Sequence, residues 1–264
     1  MMHLDFNEVA QVDTALHVRH LTDTASKSVV VCLPSAGGSA MQFKSFAHCL
    51  HDTCAQDAPD VVVLERRVDK MRPPANLETL NSRISASKAL LEVHSRRPLV
   101  LLGHSFGGYL AHQIAAEFAS ERRQVSALII LGSLPPSRID VLKSFCAEDD
   151  EALLNLVQDL NGVPEVVKNS DLFQRVYLPA IRHELCLFAA GSVRPNRKFS
   201  GPSLVVGGTR DTLATTDLLQ EWSQWAAPLR QVSVPGDHFF PSGAPGILAK
   251  IVAGFLNEIR LSGR

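Results

Sequence analysis

The sequence predicts an α/β fold: a doubly wound, mostly parallel sheet, with a helical insertion in the second half of the chain. Three observations predict it. Short apolar runs rich in β-branched residues recur, and most do not alternate, as strands buried on both faces require. Stretches of helical periodicity separate these runs, which is the mark of strand–helix–strand units. One interval, of roughly 70 residues, breaks the rhythm with helical patterns alone, and it is too long to be a plain connection.

Taken in order, strands are expected at 28–33 (SVVVCL), 60–64 (DVVVL), 98–102 (PLVLL), 125–131 (VSALIIL), 203–206 (SLVV) and 230–234 (RQVSV). Helices are expected near 40–51, 77–95, 106–120, 215–225 and 245–260. Between Leu131 and Ser203 no strand pattern occurs. Leu153, Leu156, Val157 and Leu160 mark one helical face, and Phe173 and Tyr177 another. Pro179 is expected to start a fresh helix, because proline suits a first turn and pushes its predecessor out of helical geometry. Ile181, Leu185 and Phe188 then line one side. The interval reads as a lid over about 135–200 within a single domain spanning 1–264. The alternative is that these helices only extend the core.

Composition narrows the function. The chain has 264 residues, 45% apolar and 20% charged, enough for a substantial core. A net charge of −1 gives no basic field for nucleic acid. The start MMHLDFNEVAQVD has acids and no long apolar stretch, so no signal peptide is read there; that start and an end soon after the last helix suggest a free-standing protein, with an excised domain as the alternative. Runs such as 29–33 and 127–131 are too short to span a bilayer. The five cysteines, Cys32, Cys49, Cys54, Cys146 and Cys186, are scattered without a CxxC. That predicts neither disulfide framework nor zinc knuckle, and fits a reducing cytoplasm. A monomer is expected.

The chemistry sits in LVLLGHSFGGYLAHQIAAEF, residues 99–118. Gly-x-Ser-x-Gly between a strand and a helix is a nucleophile elbow. Ser105 occupies a strained turn, so Gly103 and Gly107 must be small, and Gly108 lets the helix approach the sheet. The turn also puts the backbone N–H of Phe106 at a helix N-terminus, where it can hold an oxyanion. A serine hydroxyl needs a base, and the base an orienting acid. In α/β-hydrolases the order is serine, acid, histidine. Of the ten histidines, only His238 directly follows a late strand, in VSVPGDHFF. His104 is too close to Ser105 to reach back to its hydroxyl. Asp211, just beyond SLVVGG, lies at the same sheet edge and is the expected acid; Asp217 falls inside the next helix and Asp237 adjoins the histidine. The second oxyanion donor should come from the loop after the first core strand, in LPSAGGSAMQF, with the N–H of Ala36 as the candidate.

These segments together resemble the type II thioesterases that accompany polyketide synthases and nonribosomal peptide synthetases. The resemblance runs from about Ser28 onward, through LPSAGGSAMQF, LLGHSFGGYLAHQIA, VVGGTRD, VPGDHFF and the lid stretch LNGVPEVVKNSDLFQRVYLPAIRHEL. It implies an α/β-hydrolase fold and hydrolysis of acyl thioesters on the phosphopantetheine arm of an acyl or peptidyl carrier protein, in editing or release. No metal and no organic cofactor is implied. Two departures stand out. Ser35 replaces the family's usual histidine, and LERRVDKMRPPANLETL replaces its usual Leu-Pro-Gly-Arg-Gly-x-Arg stretch, so only Arg66 or Arg67 and Pro73–Pro74 echo it. Arg66, Arg67, Lys70 and Arg72 form a basic run that could meet an acidic carrier protein or simply be a solvated loop. Competing readings are a carboxylesterase with the same triad, an acyltransferase or cyclase if the lid excludes water, and a silent scaffold that binds a partner.

Overall fold

The structure is a computed structural model that describes residues 16–262, apart from 24–25, 68–72, 95, 122–123, 147–149, 164 and 196. Seven strands form one sheet: β1 (Leu16–His20), β2 (Val29–Leu33), β3 (Asp60–Arg66), β4 (Leu99–His104), β5 (Ala127–Leu131), β6 (Ser203–Gly208) and β7 (Leu229–Val234). Their order is β1-β3-β2-β4-β5-β6-β7, and all neighbours are parallel except β1, which runs antiparallel to β3. The six expected strands are all present. β1 was not foreseen: LHVRH is short and half polar, and only its pairing of Leu16 with Arg66 and of His20 with Val62 makes it a strand. That same pairing extends β3 two residues past its expected end. β4 and β6 likewise run on through residues that carry no strand propensity: Gly103 is paired on both sides, His104 with β5, and Gly207 and Gly208 with β7.

The helices are α1 (Lys44–Cys54), α2 (Leu77–Leu91), α3 (Phe106–Ser120), α4 (Asp150–Asp159), α5 (Glu165–Lys168), α6 (Leu178–Ala190), α7 (Thr216–Gln220), α8 (Phe240–Gly243) and α9 (Pro245–Ser262). Two apolar layers cover the sheet. One face packs against α2, α3 and α6 through Leu80, Ile84, Ile114 and Phe188; the other against α1 and α9 through Phe46, Leu50, Leu248 and Val252. The strands bury every residue of β2, β4 and β5, which explains their unbroken apolar runs.

The insertion contains α4, α5, a wide π turn over Phe173–Tyr177, and α6. Pro179 lies in the first turn of α6, as expected, but its predecessor is not pushed out of helical geometry. Leu178, before it, is helical (φ −59°, ψ −46°), and its N–H bonds the carbonyl of Phe173, five residues back. The widened turn relaxes the clash of a proline ring with the preceding turn, so the chain passes through Pro179 without a break. Helix α6 both extends the core, with Leu178, Leu187 and Phe188 buried, and turns Ile181 and Leu185 toward the cavity described below. The expected basic run does not form one exposed face. Arg66 is buried at the end of β3, Arg67 is exposed, and Lys70 and Arg72 lie outside the described residues. Among the described residues no helix is long and apolar enough to cross a membrane.

The loops after β2, β4, β6 and β7 are among those that leave the carboxyl end of the parallel strands. This is where parallel α/β sheets place their ligands. At β4 the chain turns into α3 through one residue, Ser105, held at φ +53° and ψ −121°. The turn is tight enough that a Cβ on Gly103 would sit 2.0 Å from the carbonyl oxygen of Gly107, and one on Gly107 would sit 2.1 Å from that of Leu33. Both obstacles are backbone and cannot rotate away. Gly103→Ala is therefore expected to lower the urea unfolding midpoint by an amount matching about 1–3 kcal/mol or more; a midpoint equal to wild type would show that the turn has slack.

Candidate active site

Ser105 sits at the floor of a cavity of about 510 Å³. Its own backbone is pinned from both sides. Its N–H donates to Leu131 O at 2.9 Å, tying the turn to the end of β5, and its carbonyl accepts from Gly108 N–H at 2.9 Å. A non-glycine residue at positive φ is uncommon and strained, and here the neighbouring strand and helix hold it in place. Phe106 follows as the first residue of α3, so its N–H belongs to the helix's unsatisfied first turn.

The parallel register of β6 and β7 brings the acid to the base. Gly208 pairs with Val234, and beyond the strands Thr209 N–H donates to Val234 O and Arg210 N–H to Gly236 O. The two loops thus leave the sheet zipped together. Asp211 and His238 meet with Oδ2 2.8 Å from Nδ1, their side chains 0% and 3% exposed. The other carboxylate oxygen accepts from Leu213 and Ala214 N–H at 2.9 and 3.0 Å. Burial pushes the Asp211 carboxyl up, but the bond and charge of His238 and these two N–H groups outweigh it and leave the carboxyl below its usual range. An ionised Asp211 accepts the Nδ1 proton of His238 and leaves Nε2 as the lone-pair side. The His238 ring and Ser105 line the same cavity.

His104 does not act on its neighbour's hydroxyl. Its ring lies 4.9 Å from that of His238, and its Nε2–H donates to the His238 carbonyl at 2.8 Å. Burial, helped by the nearby His238, pushes its pKa down to about 3, so it stays neutral. With Nε2 a donor, Nδ1 must accept, and it does so from the side-chain amide of Gln42. The amide oxygen of Gln42 in turn accepts from Ser35 N–H at 3.1 Å. A chain of hydrogen bonds therefore runs from the loop after β2, through Gln42 and His104, to the backbone of His238. In that loop Ser35, Gly37 and Gly38 N–H all have internal acceptors. Among the described residues none is found for the N–H of Ala36, which lines the cavity.

Of the five residues the sequence singled out, Ser105, Ala36 and His238 line one cavity, Asp211 is bonded to His238, and Phe106 follows Ser105 as the first residue of α3. Gln42 was not foreseen, and the part played by His104 was not either. The opposite wall is apolar and comes from the insertion: Leu156, Leu160, Val163, Phe173, Ile181 and Leu185. Among the described residues no group of three or more His, Cys, Asp or Glu is placed to hold a metal ion.

Comparison with known proteins points to a thioesterase family. The sequence profile described as "Thioesterase domain" matches residues 29–256. Thioesterase PikA5 of Streptomyces venezuelae is 29% identical over 243 residues, 87% of this chain and 81% of that protein. Gramicidin S biosynthesis protein GrsT of Aneurinibacillus migulanus is 25% identical over 226 residues, 83% of this chain and 84% of that one. The solved structure of BorB, a type II thioesterase from the borrelidin biosynthetic cluster, superposes with a TM-score of 0.75 at 24% identity, covering 90% of this chain and 97% of that one. That likeness establishes the α/β-hydrolase fold.

Two buried histidines give the molecule a defined acid sensitivity. Burial pushes His112 down to about 4, against the Trp225 carbonyl that accepts from its Nε2 at 3.1 Å, and His104 is held at about 3. Unfolded, both titrate near 6.5. Between these values the unfolded chain binds more protons than the folded one, so stability falls as pH falls from about 6.5 toward 4. Each histidine contributes a slope of up to roughly 1.4 kcal/mol per pH unit in that window. Urea unfolding at stepped pH should show this decline, and His112→Gln should make it shallower by up to roughly 1.4 kcal/mol per pH unit; an unchanged slope would exclude His112 as a source.

Proposed function

The chain belongs to the thioesterase domain family, and from that membership we propose that it is a serine thioesterase removing acyl groups from the phosphopantetheine arm of carrier proteins in polyketide or nonribosomal peptide biosynthesis. The observation that supports the reading is that Ser105, on its strained turn, and His238, bonded to Asp211, line the same largely apolar cavity. The names of GrsT and PikA5 support the biosynthetic setting.

In this reading Nε2 of His238 takes the Ser105 proton as Oγ attacks the thioester carbonyl carbon. The carbonyl π electrons move to oxygen, and the oxyanion is held by Phe106 and Ala36 N–H. Collapse expels the pantetheine sulfur, which leaves as a thiol with the proton from His238. Water then enters, gives its proton to His238 and attacks the acyl-serine carbonyl. The second collapse returns that proton to Ser105 and frees the acid. Asp211 stays ionised throughout and stabilises the imidazolium. Thiols leave readily, so the protein's contribution is positioning and the two N–H donors. The apolar wall of the insertion suits an acyl chain and serves as a lid over it. All five residues come from one chain, which supports a monomer as the working unit, and the five free thiols fit a reducing cytoplasm.

Incubation with a carrier protein bearing a short acyl group, followed by intact mass spectrometry, tests the reading. Wild type should strip the acyl group. Ser105→Ala and His238→Ala should each lose about three orders of magnitude or more of turnover while remaining folded by circular dichroism. Asp211→Asn should lose a large part as well, because it reverses the tautomer preference of His238. If wild type leaves the acyl group in place yet Ser105 reacts with a fluorophosphonate, the carrier-bound substrate is wrong and an oxygen ester takes its place.

A further inference from the structure

We propose that Glu184, on insertion helix α6, is a positioning residue for the oxyanion loop, so that the helix covering the cavity also sets the geometry of the Ala36 N–H donor. This deepens the function proposed above and presupposes that Ser105 is the nucleophile.

Three contacts carry the assignment. Glu184 Oε2 accepts the backbone N–H of Gly37 at 2.8 Å. Its other oxygen accepts from Arg83 Nη1 of α2 at 3.2 Å, in a pair whose side chains are 13% and 5% exposed. One turn earlier on α6, Ile181 presses on the same glycine: a Cβ at Gly37 would lie 2.4 Å from Ile181 Cγ1. Gly37 has φ +68°, a conformation that only glycine adopts freely, and α6 touches it with both a polar and an apolar side chain.

The consequence concerns Ala36. Ser35 N–H, on one side, is fixed by Gln42, and Gly37 N–H, on the other, is fixed by Glu184. The Ala36 N–H between them points where its two neighbours allow. A few residues on, Glu65 of β3 accepts from the N–H of Ala40, so a second buried carboxylate secures the far end of the same loop. An oxyanion donor acts through preorganisation, and a carboxylate bond to the adjacent amide is a strong way to supply it.

A buried Glu–Arg pair could also serve stability alone, and two conservative variants separate the roles. Glu184→Asp keeps the negative charge beside Arg83 but is one methylene too short for Gly37. Glu184→Gln keeps the length and an acceptor oxygen but loses the charge. Active sites are counted with a fluorophosphonate, so misfolded protein drops out of the comparison. Turnover of an acyl-N-acetylcysteamine thioester and the affinity for an alkyl trifluoromethyl ketone, which forms a tetrahedral adduct on serine, are then measured per site. Glu184→Asp should lower kcat on the order of 10²-fold with KM within about threefold, and weaken the ketone in parallel. Glu184→Gln should recover about tenfold of that loss or more. The reverse ranking, wild-type kcat in both variants, or a fall in kcat with unchanged ketone affinity would overturn the assignment. If wild type itself fails to turn over the thioester, the substrate reading fails, and the ketone affinities alone then decide the role of Glu184.

Discussion

The structure depends on one steric constraint: β4 and α3 must join through a single strained residue with nothing between strand and helix. A Cβ on Gly103 would strike the backbone of Gly107 across that turn, and one on Gly107 would strike the carbonyl of Leu33 on β2. This is why glycines flank the serine. The strain at Ser105 is local, but it is held by distant bonds, above all the one from its N–H to Leu131 at the end of β5. The turn exists because the sheet around it is already built.

The electrostatics of the site follow from burial and pairing. His104 and His238 lie ring against ring, yet their environments assign them different work. His104 is enclosed and held neutral, with one nitrogen donating to a carbonyl and the other accepting from Gln42, so it has no lone pair to offer. His238 is bound on one nitrogen by an ionised carboxylate and faces the cavity with the ring edge that remains. One imidazole is consumed in positioning, and in the proposed mechanism the other moves the proton.

Much of this was legible in the sequence, for a physical reason. Buried parallel strands write themselves as continuous β-branched runs, and a strained serine turn writes itself as glycines. The acid and the histidine follow their strands directly, so order along the chain was enough to choose Asp211 and His238. What was not legible depends on partners far away in sequence. β1 is a strand only because β3 lies beside it. Leu178 is helical before a proline only because a π turn precedes it. Gln42 and Glu184 look like ordinary surface residues of helical segments until the loop after β2 is placed against them. Ser35, which stands where a histidine was expected, is accommodated because its backbone is used, through Gln42.

The insertion is neither a pure lid nor a pure extension of the core, and the division falls between its helices. Helix α6 buries Leu178, Leu187 and Phe188, and the Phe188 ring rests 5.1 Å from that of Tyr109 and 5.7 Å from that of Phe106. Uncovering side chains of this size costs roughly 1.5–3 kcal/mol each, so α6 cannot swing away without dismantling the packing behind the serine. Helices α4 and α5 bear less of this load: they bury only Leu153 and Val157 between them, and Val166 and Val167 on α5 are exposed at 85% and 45%. Any widening of the cavity is therefore cheapest on the α4–α5 side. Widening then falls to the loosely held wall, while the wall that touches Gly37 keeps its place.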